Sequence, residues 1–317
     1  MKFIRKVREG KHRKIYIGGI KVFSYKRKSR TEPYRQSRLV FDELKQYAPS
    51  YSVLPFSRND EYKDVIWQLW LQGEDEAPLL VKRCLASVRQ HAAGRKVVLL
   101  TEENLSDFIQ LPDYILAKHQ QGIISRTHLS DYIRTLLLAQ YGGTWIDATC
   151  LLSREIPTDI LNSDFFIFTN PQWMNMNAAP DALFFDEIQA SYGECYHLGS
   201  SWFIHARRAN CPFVLDMLEM LNNYWRDRDS LLDYFLFHYM MVHVAISSEQ
   251  NRATFDKMPS YSNIPPHILQ HHCLKPFAPD TYARLLDNSF IHKLTYFTPT
   301  AGSFLEHILS EDCLPGA

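Results

Sequence analysis

Asp147 is the residue best placed to do chemistry. It lies in the segment AQYGGTWIDATC, where two glycines, Gly142 and Gly143, end an apolar stretch of helical spacing. The pattern predicts a helix that ends at the glycines, where a left-handed residue is needed, and a short buried strand that ends at the acid. An acid in this place commonly holds Mg²⁺ or Mn²⁺, because these hard cations prefer carboxylate oxygens. The plain alternative is an aspartate that caps the turn after the strand.

A second acid and a base precede it in the segment SRTHLSDYIR, which has helical spacing. Asp131 and Arg134 are three residues apart, so the plain interpretation is an ion pair on one helix, which contributes roughly a few tenths of a kcal/mol. Asp131 also lies beside the apolar stripe of the helix that leads to Asp147. We therefore expect it near the same crevice, where its carboxylate could accept hydrogen bonds from a ribose or a base.

The elements that must hold these residues alternate between strands and helices over residues 63–150. DVIWQLWLQG, KVVLL and TWI are predicted strands, and the segments between them have helical spacing. This β-α-β-α-α-β order predicts an open, mostly parallel sheet with helices on both faces, which binds ligands beyond the carboxyl ends of its strands. The second half is less regular, with strands predicted at 165–169 and 200–206 and helices at 210–228 and 231–246.

Composition predicts a globular protein of the cytoplasm. The chain has 317 residues, of which 46% are hydrophobic, enough for one large domain or two lobes. No run approaches the roughly 18 to 20 apolar residues of a membrane span, and no apolar region of a secretory signal follows the basic start. The six cysteines are far apart, so we expect reduced thiols rather than a zinc site or disulfides.

The N-terminus is strongly basic. The chain has 35 basic and 35 acidic residues, yet residues 1–30 carry twelve Lys and Arg and one Glu. Apolar and aromatic residues interleave with these charges, which suits an anionic membrane surface, where each cation contributes about 1 kcal/mol. Two alternatives stay open: a solvated basic hairpin packed on the domain, and contact with nucleic acid, which is the least favoured and is not expected.

Several motifs, taken in order, resemble one family. IWQLWLQGEDEAPLLVKRCLASV, GIISRTHLSDYIRTLLLAQYGGTWIDAT, SSWFIHA, LLDYFLFHYM and IHKLTY together resemble the bacterial capsular polysaccharide synthesis proteins, which are similar to glycosyltransferase family 32. The resemblance covers roughly residues 63–296, and SDYIR…YGGTWIDAT is its most specific part. It implies a GT-A-like fold, a UDP-sugar donor, a divalent metal (Mn²⁺ or Mg²⁺) and transfer with retention at the anomeric carbon.

The resemblance also implies roles for residues around the predicted turn. Asp131 is expected to contact the nucleoside, and Arg134 to act as a catalytic group near the sugar or the phosphates. Asp147 is expected to hold the metal and to take part in catalysis. The family motif has a second acid at position 149, but this chain has Thr149 there, with Ala148 between the two at the donor pocket. A hydroxyl in place of a carboxylate predicts weaker metal binding.

Further candidates lie at the ends of other elements. Trp67 and Gln68 end the first predicted strand, where they are expected to contact the donor; Trp67 would stack on uracil, and a core tryptophan is an equal alternative. Asp233 is expected as a catalytic acid near the donor or acceptor sugar, against a helix N-terminal acid favoured by the dipole. His292 and Lys293 are expected as a metal ligand and a pyrophosphate contact, against ordinary surface residues.

These inferences predict a retaining glycosyltransferase. It would move a hexose, galactose or glucose, from a UDP-sugar to a capsule or lipopolysaccharide glycan or a lipid-linked oligosaccharide at the inner face of the cytoplasmic membrane. Residues 1–60 would form a basic membrane-proximal arm and helix, 61–151 a Rossmann-like nucleotide-sugar-binding half, and 152–317 the acceptor-binding half that completes the active site. Another metal-dependent nucleotide or phosphate enzyme is disfavoured, because no glycine-rich phosphate loop is present. A non-enzymatic membrane or RNA adaptor stays open.

The basic arm generates a first prediction. Deleting residues 1–30 should release the protein from vesicles that contain phosphatidylserine and leave UDP-sugar hydrolysis nearly unchanged, because the arm lies outside the predicted alternation of strands and helices. Sedimentation with such vesicles at about 0.15 M salt, where surface charges are screened within about 8 Å, measures the binding. A truncated protein that still sediments would show that the arm is not the anchor.

Overall fold

The computed structural model describes residues 4–9, 12–17, 20–26, 31–50, 55–57, 62, 64–170 and 198–310. These residues fall into two compact units, one within residues 1–43 and one that begins at Leu44. The boundary predicted near residue 60 therefore lies earlier in the structure. The boundary predicted at 151–152 falls inside the second unit.

The described residues of the first unit form three strands and most of one helix. β1 (Ile4–Glu9) pairs antiparallel with β2 (His12–Ile17), which pairs antiparallel with β3 (Ile20–Lys26). α1 follows at Thr31–Leu44. The proline of TEPYRQS stands in the first turn of this helix, where its missing N–H removes no helical hydrogen bond. The membrane role of residues 1–30 stays a prediction.

A five-stranded sheet forms the centre of the second unit. Its strands are β4 (Ile66–Leu69), β5 (Val97–Leu100), β6 (Gly143–Ile146), β8 (Phe165–Thr169) and β9 (Gly199–Ala206). Their order is β5, β4, β6, β9, β8. β4 pairs parallel with β5 and β6, and β9 runs antiparallel between β6 and β8. Only β9 opposes the others, so the predicted mostly parallel α/β sheet is confirmed.

Helices and one small ribbon complete the second unit. The helices are α2 (Leu79–Gln90), α3 (Leu105–Phe108), α4 (Asp113–Gln120), α5 (Arg126–Tyr141), α6 (Thr158–Asn162), α7 (Pro212–Asp227), α8 (Leu236–Ser247), α9 (Glu249–Lys257), α10 (Ile264–Ile268), α11 (Pro279–Asn288) and α12 (Phe304–Leu309). The ribbon pairs β7 (Cys150–Leu152) antiparallel with β10 (Ile291–Lys293). Of the helices in the described ranges, none combines the length and apolar character that a bilayer crossing requires.

Alternate residues of the central strands meet helices on the two faces of the sheet. Trp67 packs against Tyr141 at the end of α5, with ring centroids 5.6 Å apart. Ile66 and Ile146 belong instead to an apolar cluster that includes Val88 of α2. Because successive strand residues point to opposite faces, these contacts show a helix on each face, as predicted.

Two predicted helices have different limits in the structure. The helical segment expected after β5 is divided into α3 and α4, because Pro112, which precedes α4, cannot continue a preceding helix. The helix expected from residue 231 begins at Leu236. Asp233 forms a turn before it, in which the carboxylate Oδ1 accepts a hydrogen bond from the N–H of Phe235 at 2.8 Å.

Four of the six cysteines lie within the described residues. Cys84, Cys150, Cys211 and Cys273 are free and buried in the structure, and their reduced state in the cell stays a prediction. The other two cysteines lie outside the described residues.

Gly142 and Gly143 join α5 to β6. Gly142 has φ of 74° and donates its N–H to the carbonyl of Leu138 at 3.0 Å, and Gly143 has φ of 92°. These left-handed angles confirm the predicted helix end. A side chain would also lack room, because a Cβ would lie 2.5 Å from the carbonyl carbon of Arg208 at position 142 and 2.4 Å from the carbonyl oxygen of Val65 at position 143.

A substitution at this junction should be severe. Gly143→Ala is expected to lower the free energy of unfolding by at least about 3 kcal/mol, because it adds a backbone clash to the left-handed penalty of about 1 to 2 kcal/mol. Gly302→Ala is the matched control: its φ is 69°, but none of the described atoms lies within 4 Å of the added Cβ. Urea unfolding measures both, and equal losses would show that the close approach to Val65 does not matter.

Candidate active site

Asp147 stands directly after β6, in the middle of the sheet. Its N–H donates to the carbonyl of Trp202 on β9 at 2.9 Å, and its carbonyl accepts from the N–H of Cys150 at 3.0 Å. The side chain is 22% exposed. The acid therefore stands at the carboxyl end of a central strand, where an open sheet binds its ligands, and it also closes the turn.

Both oxygens of the Asp147 carboxylate accept hydrogen bonds. Oδ1 accepts from Nε1 of Trp145 at 2.8 Å and from Nη2 of Arg134 at 3.1 Å. Oδ2 accepts from Nζ of Lys293 at 3.0 Å. Two cations and an indole thus hold one carboxylate, which fixes both its charge and its orientation.

Arg134 links two acids. Its Nη1 donates to Asp131 at 2.5 Å, so the ion pair expected at this spacing is present, and its Nη2 also donates to the hydroxyl of Ser130 at 3.0 Å. The guanidinium carbon lies 5.0 Å from the ring centroid of Trp145, a cation–π distance. Because the Arg134 side chain is only 4% exposed, its position suits orienting Asp147 more than touching a ligand.

Lys293 reaches Asp147 from a distant part of the sequence. β10 brings it opposite Cys150 of β7, and the N–H of Leu294 donates to the carbonyl of Thr149 at 2.9 Å. Its Nζ donates to Oγ1 of Thr149 at 2.6 Å as well as to Asp147. The Lys293 side chain is 21% exposed, which makes it the more accessible of the two cations in this network.

The two carboxyl groups have opposite pKa shifts. Burial raises the pKa of Asp131 to about 6, although the charge of Arg134 opposes this. Burial also acts to raise the pKa of Asp147, but the charges of Lys293 and Arg134 and the hydrogen bond from Trp145 outweigh it and lower that pKa to about 2. Burial acts to lower the pKa of Lys293, and the Asp147 carboxylate raises it overall. At neutral pH the pair of Asp147 and Lys293 is therefore fully ionised.

The structure corrects the expected base contact of Trp67. The residue is fully buried, and its Nε1 donates to the carbonyl of Gly142 at 2.9 Å. Its ring contacts Tyr62, Phe108 and Tyr141, which leaves no exposed face for a uracil.

Gln68 is also fully buried, on the opposite face of β4. Neither atom of its side-chain amide has a hydrogen-bond partner within the described part of the chain. An unpaired buried amide is unfavourable. Its expected contact with the donor stays a prediction.

Ala148 and His292 also have surroundings that differ from the expectation. Ala148 is 7% exposed and packs in an apolar cluster with Val81 and Leu85, so its side chain faces the core. His292 is fully buried and its Nε2 lies 3.3 Å from the hydroxyl of Ser153. Since Lys293 faces Asp147 and neighbouring strand residues point to opposite sides, His292 is turned away from Asp147. The expected metal contact of His292 is therefore corrected.

Asp233 makes structural hydrogen bonds, whereas a catalytic role was expected. Its side chain accepts from the N–H of Phe235, and its backbone carbonyl accepts from the N–H of Leu236 at 3.2 Å. Asp233 therefore organises the start of α8, which agrees with the alternative of an acid at a helix N-terminus. The same loop is close to α5, because Nε2 of His128 lies 3.2 Å from the carbonyl of Tyr234. A role of Asp233 toward a sugar stays a prediction.

The residues around Asp147 fit a divalent metal poorly. Throughout the ranges that the structure describes, no three His, Cys, Asp or Glu side chains are grouped so that they could hold a metal ion. Both oxygens of Asp147 are already bonded, and the hydroxyl of Thr149 faces an ammonium group. Mg²⁺ and Mn²⁺ prefer several oxygen ligands in near-octahedral geometry. The metal predicted from the sequence is therefore not supported by this donor set.

Two further members of the site, Trp145 and Ser130, were not among the residues predicted from the sequence. A signal for Trp145 was present, because residues two apart in a strand share a face, so Trp145 and Asp147 had to point the same way. Ser130 is four residues before Arg134, a spacing that brings side chains together on a helix.

The fold and the site thus define a mixed α/β protein with a charged cluster at the carboxyl end of its central strand. A family model for capsular polysaccharide synthesis proteins matches residues 20–308. The match spans most of the chain, and the protein belongs to that family. The resemblance stated from the motifs is confirmed, while the similarity to glycosyltransferase family 32 stays a prediction.

Other comparisons are more distant. A solved structure described as "PaToxG Glycosyltransferase" is 11% identical, over 72% of this chain and 82% of that chain, with a TM-score of 0.34. At that distance the likeness carries no argument about function. Among the curated proteins, none matches this chain.

The buried His292 generates a prediction about acid stability. Burial, with the nearby charge of Arg154, lowers its pKa to about 4, while an unfolded histidine titrates near pH 6.5. The unfolded chain therefore binds more protons between about pH 6.5 and 4, and the free energy of unfolding falls as pH falls through that window. His292→Gln should remove up to about 3 kcal/mol of this fall.

Urea unfolding at about pH 7 and about pH 4.5 measures the effect. His271→Gln is the control, because the side chain of His271 is exposed. If wild type and His292→Gln lose the same free energy between the two pH values, the burial of a neutral imidazole at position 292 is not what limits acid stability.

Proposed function

We propose that this protein is a retaining glycosyltransferase that moves a hexose, glucose or galactose, from a UDP-sugar to a glycan or lipid-linked oligosaccharide of capsule or lipopolysaccharide. The observation that carries the proposal is the ionised pair of Asp147 and Lys293 at the carboxyl end of β6. Membership of the capsular polysaccharide synthesis family supports it, because building such polymers requires repeated transfer of sugars.

The chemistry of the donor suits this site. The bond between the anomeric carbon and the diphosphate oxygen breaks, and its electron pair leaves with the diphosphate. The acceptor hydroxyl oxygen forms the new bond to that carbon, and its proton passes to the departing diphosphate oxygen. Negative charge develops on the leaving group, and a fixed cation beside it lowers the barrier. Lys293 is such a cation, because Asp147 and Thr149 hold its ammonium group.

Exposed aromatic residues near the site suit the acceptor. Tyr234 is 63% exposed and Phe235 is 42% exposed, and Phe237, two residues on, lies against the guanidinium of Arg134 at 5.8 Å from its ring centroid. Aromatic rings offer flat apolar faces with polar edges. The proposed acceptor glycan would lie across Tyr234 and Phe235, with Asp233 near its hydroxyl groups.

The proposal includes the cellular location of the reaction. The protein would bind lipid-linked acceptors at the cytoplasmic face of the inner membrane. The twelve basic residues within positions 1–30 support this, since they suit an anionic lipid surface.

Asp147→Asn tests the proposal. The amide can still accept from Trp145, but it no longer neutralises Lys293 and Arg134, so we expect a folded protein that loses about 1 to 3 kcal/mol of unfolding free energy. The rate of UDP release from UDP-glucose or UDP-galactose should fall at least about 100-fold, as when one charged stabiliser of a leaving group is removed. Asp287→Asn is the control, because Asp287 also pairs with an arginine, Arg154, but is 85% exposed.

A coupled assay for UDP, with and without a capsule-derived acceptor, gives the rates. Wild-type release from either donor, and its loss in Asp147→Asn but not in Asp287→Asn, is the expected result. Release by Asp147→Asn at the wild-type rate would remove Asp147 and Lys293 from catalysis. No release by the wild type from any nucleotide sugar would favour the phosphate-enzyme or adaptor alternatives.

A further inference from the structure

Lys293 stands between the two positions at which the family motif carries acids. Its Nζ is 3.0 Å from Oδ2 of Asp147 and 2.6 Å from Oγ1 of Thr149. One ammonium group therefore bridges the side chains that follow β6 and occupies the space between them. The family motif would hold a metal ion with two acids; here the ammonium group of Lys293 is held by one acid, Asp147, and one hydroxyl, that of Thr149.

The backbone fixes this ammonium group in place. Lys293 is on β10, opposite Cys150 of β7, and the next N–H, that of Leu294, donates to the carbonyl of Thr149. The turn that carries Asp147 is closed by the N–H of Cys150. Lys293 and the turn are thus parts of one hydrogen-bonded ribbon. The backbone of Lys293 is therefore fixed close to Asp147 and Thr149, which its side chain contacts.

The hydrogen bonds of Lys293 leave room for a ligand. An ammonium group has three N–H donors, and within the described residues Lys293 uses two of them, toward Asp147 and Thr149. The third is available to an oxygen atom from solvent, since the side chain is 21% exposed. Arg134 is unsuited to this task, because it is 4% exposed and bonded to Asp131, Asp147 and Ser130.

A divalent cation would compete with Lys293 for the same ligands. It would need an oxygen of Asp147 and would lie a few ångströms from the ammonium group, where two positive charges repel each other. The bonds of Lys293 to Asp147 and Thr149 would also have to break or rearrange. The local charge is therefore already balanced without a metal.

From this geometry we infer that Lys293 takes the place of the divalent metal, and that the site binds a diphosphate and neutralises it without Mn²⁺ or Mg²⁺. The inference rests on the proposed function in one respect: the proposed function identifies the diphosphate as the leaving group of a sugar donor. Binding of inorganic pyrophosphate tests it without that assumption. Residues 149 and 293 then decide together between the two kinds of site, since an acid at 149 adds the charge that a metal needs only when no lysine at 293 neutralises it.

The first experiment uses the wild-type protein, with inorganic pyrophosphate and Mn²⁺ as probes. Calorimetry should give the same Kd for pyrophosphate in EDTA and in Mn²⁺, within about threefold, and electron paramagnetic resonance should detect no protein-bound Mn²⁺ at about millimolar concentrations. Pyrophosphate binding that Mn²⁺ tightens tenfold or more would overturn the inference. Absence of pyrophosphate binding in both buffers would also overturn it.

Variants locate the effect. Lys293→Gln should weaken pyrophosphate binding at least tenfold, whereas Lys82→Gln should not; it removes a partly exposed lysine whose ammonium group, among described partners, donates only to the carbonyl of Asp75. Thr149→Asp alone should gain little Mn²⁺ binding, because the new acid would pair with Lys293. The double variant Thr149→Asp and Lys293→Gln should bind Mn²⁺ and require it for pyrophosphate.

The outcomes separate this inference from the proposed function. In one outcome, pyrophosphate binds in EDTA and this binding depends on Lys293, but no nucleotide sugar is turned over. That outcome would support the inference and refute the proposal that the protein uses a nucleotide-sugar donor. UDP release that stops in EDTA and returns with Mn²⁺ would support the transferase and refute the inference. If Lys293→Gln does not fold, the wild-type comparison of EDTA and Mn²⁺ still decides, because it requires no variant.

Discussion

The carboxylate of Asp147 is the group on which the arrangement of the site depends. It stands where burial would favour its neutral form, and it stays ionised because Lys293, Arg134 and Trp145 together outweigh that effect. Each partner comes from a different element: β10, α5 and β6 itself. The charge of one side chain therefore depends on the correct packing of the sheet, a helix and the small ribbon. Conversely, two cations can approach each other there only because that carboxylate lies between them.

The backbone constraint that places Asp147 is the glycine pair before β6. With left-handed angles at Gly142 and Gly143, the chain turns from α5 into the sheet within two residues. Arg134 is two turns before the end of α5, and Asp147 is one strand beyond its end. A tight junction lets a helix and the strand after it contribute to the same cluster. A longer connection would allow the helix to shift along the sheet, and the distance between the two side chains would no longer be fixed.

Local features of the sequence were sufficient to predict the α/β sheet and one ion pair of the site. The periodicity of apolar residues predicted the central strands and α5. The glycine pair predicted the end of that helix, and the spacing of Asp131 and Arg134 predicted their ion pair. The roles of Trp67 and Ala148 could not be derived in this way, because a strand residue faces one side or the other according to register, and a shift of one residue exchanges the faces. His292 and Lys293 show the same limit: as neighbours on a strand, only one of them can face Asp147. The two-stranded ribbon that brings Lys293 there joins residues more than a hundred positions apart, and no local pattern marks that pairing.

Residue 149 shows how one side chain sets the charge of the whole cluster. Asp131 and Arg134 form one pair and Asp147 and Lys293 a second, so with a neutral Thr149 the four groups sum to zero when all are ionised. Burial raises the pKa of Asp131 to about 6 despite the charge of Arg134, whereas at Asp147 the charges of Lys293 and Arg134 outweigh burial and lower the pKa to about 2. An acid at 149 would make the cluster anionic, and an incoming diphosphate would then meet repulsion unless a metal bound with it. With threonine there, Lys293 faces a single acid, and two of its three N–H groups have partners among the described residues. On the inference that Lys293 replaces the metal, the same ribbon and turn suit either kind of cation, and residues 149 and 293 together decide which one the site favours.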